Sequence, residues 1–317
     1  MNAVNEKLSL ALKGMAMGIA EVIPGVSGGT IAFISGIYER LLNSIKAILG
    51  PELIKSWRAG GIKATWKAID GEFLFYLLLG MATGLVSGVF GITHLLHHYP
   101  QLLWAFFFGL IIASSLFVGK QVKRWDWKSI AALALGTAVA LWYTLAVPGQ
   151  GTDALWFVFV SGAIAISALM LPGISGSFML VLMGMYTLII TSLKSVLQNQ
   201  DMESLIVIAV FASGCLLGLG AFSRVLTWLF KHYHDVTMAV LTGFMVGSLN
   251  KIWPWKNVLE YRINSKGEQE PLIERSVWPW DFQGEPYLVG VVVLVAAGIL
   301  LVYLLEKTGG KNPENGV

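Results

Sequence analysis

The sequence predicts an all-α, polytopic membrane protein made of two inverted repeats. Each repeat is expected to be a re-entrant or broken-helix hairpin followed by three transmembrane helices. Three observations carry this prediction. The 317 residues are 56% hydrophobic and 13% charged, with a mean hydropathy of +0.69, against about 25% charged in an average soluble domain. Six apolar stretches, about 73–93, 102–119, 129–147, 205–230, 236–252 and 287–305, approach the ~20 residues that a spanning helix needs. Finally, Pro24-Gly25-Val26-Ser27-Gly28-Gly29 returns as Pro172-Gly173-Ile174-Ser175-Gly176-Ser177.

The elements follow in order. Leu8 to Ile23 is apolar and runs into the first motif, where a Pro-Gly pair ends one helix and a second begins. The return arm is apolar only from Thr30 to Tyr38 before Glu39 and Arg40 intervene, which favours a hairpin that leaves on the side it came from. The second pair of arms, about 154–171 and 177–193, is apolar enough to cross completely. Downstream, Gly36, Tyr38 and Lys46 match Gly184, Tyr186 and Lys194. Gly80, Gly84, His98 and Gly109 match Gly214, Gly218, His232 and Gly243. The register shortens because the charged loop 50–72 gives way to 198–203. A hairpin plus three spans makes an odd number of crossings, so residues 1–150 and 151–317 are expected to be inverted copies within one integral membrane domain.

Charge supports that topology. Lys55, Arg58, Lys63 and Lys67 in loop 50–72, and Lys120, Lys123, Arg124 and Lys128 in loop 120–128, predict two cytoplasmic connections. Connections 94–100, 148–153 and 198–203 have no Lys or Arg and fall outside, as does loop 251–286. Lys231, Lys307 and Lys311 fall inside, and both termini are expected in the cytoplasm. Lys7 and Lys13, followed by Glu21 and Pro24, do not read as a cleaved leader. Eight tryptophans (57, 66, 125, 127, 253, 255, 278 and 280) flank apolar segments and are expected to form interfacial belts. Gly80, Gly84 and Gly88, with Gly214 and Gly218, predict close helix packing.

Composition also excludes functions. A net charge of +3 gives no case for a nucleic-acid partner, and the single Cys215 excludes an internal disulfide or cysteine cluster. His94, His97 and His98 have helical metal-binding spacing but sit at a membrane edge without a nearby acid or cysteine. No metal or other cofactor is expected. No serine-histidine-acid arrangement, phosphate loop or zinc-protease motif is present, so an enzyme is not expected.

The candidate chemistry gathers at the two breaks. Gly28, Gly29 and Gly176 allow close backbone approach, and Ser27, Thr30, Ser175 and Ser177 add hydroxyls. Helix N-termini favour anions, so two inverted hairpins would offer a phosphate or carboxylate site; alternatively the glycines serve tight turns and the serines cap their own helices. Glu21, whose counterpart is Leu169, is an intramembrane carboxyl expected to exchange a proton or form an ion pair. Arg224, whose counterpart is Phe90, is expected either to clamp a phosphate or to snorkel. Arg40 is a second candidate anion contact, and Glu39 a second candidate for ion coupling. Lys46 and Lys194 are expected to face headgroups.

The paired pattern from Glu21 through Thr30, on through Gly36-Ile37-Tyr38-Glu39-Arg40, and again from Pro172 to Ser177 with Gly184 and Tyr186, resembles the bacterial polyprenyl-phosphate transporters (PopT-like proteins), a family formerly described as a domain of unknown function. The likeness covers most of the chain. It implies a flippase of the bacterial cytoplasmic membrane that returns undecaprenyl phosphate, the cell-wall carrier lipid, to the cytoplasmic leaflet. A proton or sodium ion is the expected coupling ion, and a homo-oligomer is compatible with this reading. The replacement of Glu21 by Leu169 and of Thr30 by Phe178 departs from strict symmetry. A small-anion secondary transporter would use the same cradle, and a membrane enzyme acting on lipid phosphates is the remaining alternative.

Overall fold

A computed structural model describes residues 3–23, 26–263 and 269–309. The chain opens with α1 (Ala3–Glu21), which breaks into the short α2 (Gly28–Ile34) and turns into α3 (Tyr38–Ile48). Next come α4 (Pro51–Ala68), α5 (Gly71–His98), α6 (Pro100–Gly119) and α7 (Trp127–Leu145). The same order then returns without a counterpart of α4: α8 (Leu155–Met170), α9 (Gly176–Leu182), α10 (Tyr186–Asn199), α11 (Met202–His232), α12 (His234–Ser248) and α13 (Leu288–Gly309). The all-α, polytopic membrane class is as expected. Helices α5, α6, α7 and α11 are long and apolar enough to cross a bilayer alone.

Local chemistry explains the breaks. Ser27 and Ser175 stand in extended backbone and cap α2 and α9 with their hydroxyls. Both short helices end in the same way, on a glycine with φ of +70° (Gly36) or +69° (Gly184). At each end the glycine N–H and the next N–H fold back: Gly36 to Phe33 and Ile37 to Ala32, Gly184 to Val181 and Met185 to Leu180. A left-handed residue here strongly favours glycine.

Four details differ from the sequence reading. Loop 50–72 holds α4, which Gly60 and Gly61 kink through non-helical backbone. Loop 251–286 holds an antiparallel pair, β1 (Lys256–Ile263) and β2 (Gln269–Ser276). The second hairpin does not cross straight through, because α9 and α10 meet at 111°. The expected span 236–252 is the 15-residue α12, after which the chain turns beneath the strand pair and buries Ile252 and Trp255.

Glycine decides how the helices meet. A Cβ on Gly14 would strike Leu77 O, and one on Gly80 would strike Ala11 O; Gly84 faces Met15 O in the same way. These contacts advance together along both chains, so α1 and α5 run parallel. Gly162 against Phe211 O, Gly214 against Phe159 O and Gly218 against Ala163 O set α8 parallel to α11. Two further parallel pairs join early helices to late ones. Gly290 meets the Leu102 side chain, Gly109 meets Val295 O and Lys120 lies 3.6 Å from Glu306, contacts that advance together and lock α6 to α13. Gly243 against Leu133 O, Gly247 against Thr137 O and Asn250 bonded to Thr144 advance together and lock α7 to α12. Without side chains the backbones approach closely, the association expected where lipid removes the hydrophobic drive between helices. Cys215 joins the α8–α11 seam, its thiol 3.4 Å from Gly162 O.

Six of the eight tryptophans are exposed as a belt requires, but Trp253 and Trp255 are not. Their indoles donate to Val277 O at 2.8 Å and Pro286 O at 2.9 Å, knitting the strand pair to its stem. A buried indole N–H requires such a partner.

Candidate functional site

The two helix breaks meet. The Ser27 hydroxyl donates to Leu169 O at 3.2 Å, and the N–H of Gly173 donates to Thr30 Oγ1 at 3.0 Å. Tyr38 donates to Met170 O at 2.7 Å across the same junction. The small residue Gly29 permits this docking: a Cβ there would lie 3.1 Å from Leu169 O and 3.2 Å from Met170 O. The end of α8 leaves its last carbonyls without helical partners, and the first motif satisfies them. Ser27 and Thr30 are fully buried as a result. Pro24 and Gly25 lie outside the described residues.

The two motifs differ in what fills them. At the first, the Glu21 carboxylate accepts from Gly28 N at 2.7 Å, Ser27 Oγ accepts from Gly29 N at 3.1 Å, and Ser27 O accepts from Thr30 N at 2.9 Å. A carboxyl group of the chain itself therefore occupies the start of α2, where a free set of amides was expected. At the second, Leu169 replaces the carboxylate. Ser175 Oγ accepts from Phe178 N at 3.4 Å and lies 3.0 Å from Ser177 Oγ. Tyr143 donates to Ser175 O at 2.7 Å and fixes this turn from α7. Gly176 is buried, whereas Ser177 is exposed.

The structure thus gathers Glu21, Ser27, Gly28, Gly29 and Thr30 with Ser175, Gly176 and Ser177. Arg224, Arg40 and Glu39 lie elsewhere. Arg224 donates to Gly220 O at 2.6 Å and to Leu49 O, capping the end of α3, an eleven-residue helix about 16 Å long. Arg40 forms a bidentate pair with Asp70, at 2.5 and 3.0 Å, and lies over the Phe73 ring. The carbonyl of Leu49 at the end of α3 holds the Arg224 guanidinium, and the Asp70 carboxylate holds that of Arg40. Glu39 lines a cavity of about 270 Å³ with Asn43, Thr227 and Lys231. His94 and His97 have side chains outside the described residues.

Sequence reasoning missed Tyr38 and Tyr143 as struts, and the Thr30–Gly173 link. A tyrosine within an apolar segment was the available signal, because its buried hydroxyl needs a partner. An apolar cleft of about 460 Å³ was also missed. It lies beside the second motif between α8, α9 and α11, lined by Ala168, Leu171, Ile174, Met179, Leu217 and Val225.

Membrane-length helices, and two broken hairpins whose polar groups turn inward onto each other, define a multi-pass membrane protein with an interior helix-break site. Residues 17–270 match the undecaprenyl phosphate translocase-like family. The chain is 43% identical over 309 residues to the polyprenyl-phosphate transporter of Vibrio cholerae, covering 96% of this chain and 97% of that one. It is 31% identical over 257 residues to the polyprenyl-phosphate transporter of Staphylococcus aureus, covering 77% and 85%. No solved structure matches. The chain belongs to the undecaprenyl phosphate translocase-like family.

Proposed function

We propose that this protein transports polyprenyl phosphate, returning undecaprenyl phosphate from the outer to the cytoplasmic leaflet of the bacterial cytoplasmic membrane. The observation that carries this reading is the direct docking of the two helix breaks beside an apolar cleft. A lipid phosphate needs polar contacts inside the bilayer together with an apolar seat for its chain. The cleft between α8 and α11 favours a lipid over a small water-soluble anion. The absence of catalytic motifs and the transporter names of the relatives favour transport over catalysis.

Two inverted repeats, 1–150 and 151–317, organise the reading. Support comes from the parallel pairs α6–α13 and α7–α12. Spans joined by short connections cross alternately, so α7 follows the direction of α5. Because α12 is parallel to α7 and directly follows α11, α11 opposes α5. With both termini cytoplasmic, the strand pair faces outside, in keeping with the positive charge of loops 50–72 and 120–128.

In this mechanism Glu21 is the coupling group. Its carboxylate holds Gly28 N as a phosphate oxygen would. Protonation removes that charge and weakens the carboxyl's hold on the amide, so a lipid phosphate can displace it and contact Ser27, Gly28, Gly29 and Thr30. Ser175, Gly176 and Ser177 receive the headgroup from the other side. Inward movement of a phosphate charge opposes an inside-negative potential by about 2.3 kcal/mol per charge per 100 mV, and a co-moving proton cancels one such charge. A leaflet-resolved polyprenyl-phosphate assay in proteoliposomes, with and without a pH gradient, tests the proposal. Gradient-stimulated uptake is expected from the wild type and not from Glu21→Gln. Uptake that ignores both the gradient and Glu21→Gln would remove the coupling step, and absence of uptake would remove the function.

A further inference from the structure

The strand pair and the turn before it bury an unequal set of charges. Lys256 Nζ lies 3.1 Å and Lys251 Nζ 3.5 Å from one oxygen, Oε2 of Glu274. Lys256 also donates to Lys251 O at 3.2 Å and sits over the Trp104 ring of α6, with its side chain 6% exposed. Lys251 is 18% exposed and lies 4.4 Å from the centroid of the Phe178 ring. Among the described residues no second carboxylate pairs with either lysine. Two cations therefore share one anion in a largely dehydrated place, where leaving charge uncompensated is costly.

The position of the surplus is informative. Phe178 belongs to α9 and occupies the place that Thr30 holds in α2. Its chain neighbour Ser177 is exposed, and the Ser177 hydroxyl lies 3.0 Å from that of Ser175. Lys251 thus packs against α9, the short helix that begins at the second motif. An arriving oxyanion would meet an ammonium group and then two hydroxyls, the donor chemistry that suits a phosphate.

We propose that Lys251 and Lys256, half-neutralised by Glu274, form an anion-receiving site for the phosphate headgroup beneath the strand pair. It delivers the headgroup to Ser175 and Ser177. The proposal rests on the lipid-phosphate reading for its ligand, and on the orientation above for its place on the outer face. Glu274 then acts as a resident competitor that keeps the lysines folded in when no headgroup is bound.

The test is equilibrium binding of radiolabelled farnesyl phosphate to the full chain in phosphatidylcholine nanodiscs, with farnesol and inorganic phosphate as comparison probes. Lys251→Gln is expected to weaken farnesyl phosphate binding about tenfold, as loss of a charge-assisted contact does, whereas Lys251→Arg retains it. Glu274→Gln is expected to tighten binding several-fold. A purely structural ion cluster predicts that Glu274→Gln leaves binding unchanged or weakens it, and that result overturns the site. If Glu274→Gln does not fold, the Lys251→Gln and Lys251→Arg pair decides alone: equal binding by both overturns the proposal. Farnesyl phosphate bound equally by wild type and all variants overturns the site but leaves the lipid-phosphate reading intact. The expected variant order with inorganic phosphate, together with no preference for farnesyl phosphate over farnesol, keeps the site and removes that reading. Binding of neither phosphate probe overturns the site.

Discussion

The two helix breaks have nearly the same backbone and different contents. Each begins on a serine cap and ends on a left-handed glycine, and each supplies a seven-residue helix. The first is closed by a carboxylate of its own chain, with Ser27 and Thr30 fully buried, whereas the second keeps a hydroxyl pair with Ser177 exposed. The two breaks therefore share the geometry of the turn and differ in its chemistry. Glu21 and Leu169 occupy matching positions, and that one difference determines whether the following amide is satisfied from within.

The largest expected effects sharpen the geometric half of this comparison. Gly80→Leu and Gly214→Leu each drive a side chain into the facing carbonyl, Ala11 O or Phe159 O. Each is expected to destabilise by more than about 4 kcal/mol, read as lost monodisperse protein after detergent extraction. A mild effect at one site alone would break the equivalence of the two seams. Next comes the chemical difference. Glu21→Ala leaves Gly28 N without its acceptor and is expected to cost about 1–3 kcal/mol, whereas Leu169→Ala removes apolar packing only. Glu21→Gln keeps an acceptor oxygen, so its thermal unfolding should stay near wild type. Ser27→Ala, which removes both a cap and a link between the breaks, is expected to cost about 1–2 kcal/mol, against about 1 for Ser175→Ala. Tyr38→Phe and Tyr143→Phe each remove one donor to a carbonyl, for about 1 kcal/mol apiece in denaturant titrations.

The smallest effect is local and depends on pH. Burial pushes the Glu274 carboxyl upward, but Lys256 and Lys251 outweigh it and hold the group below its ordinary 4.5. Burial, aided by Lys251 and opposed by Glu274, holds the Lys256 ammonium below its ordinary 10.5. Both depressed values make stability rise with pH. The Glu274 contribution is present above its ordinary value and is lost as acid titrates it through the lowered one. Tryptophan fluorescence of the Trp253 and Trp255 region should report loosening in acid, and Glu274→Gln should abolish that transition.

Much of the frame was legible in the sequence because it depends on local or periodic chemistry. Pro-Gly breaks, serine caps and glycines recurring every four residues act through the backbone wherever the helix is placed. The contents of the site were less legible because they depend on docking. Glu21 reads as an isolated intramembrane acid until the break folds its carboxylate onto Gly28. Arg224 reads as a phosphate clamp or a snorkelling group, and the sequence does not show that the carbonyl of Leu49 lies beside it. Trp253 and Trp255 read as belt residues until β1 and β2 pair across them; the alternation in 256–276 was too short and too charged to stand out beside the apolar helices.

The exchange of partners between early and late helices has a consequence for biosynthesis. Helices α6 and α7 leave the ribosome well before α13 and α12, the helices that fill their glycine-faced grooves. Until translation nears its end, those grooves must be covered by lipid or by an insertion factor. A chain truncated after α7 would retain the α1–α5 seam but leave α6 and α7 without their counterparts, a substrate for membrane quality control rather than a half-sized carrier.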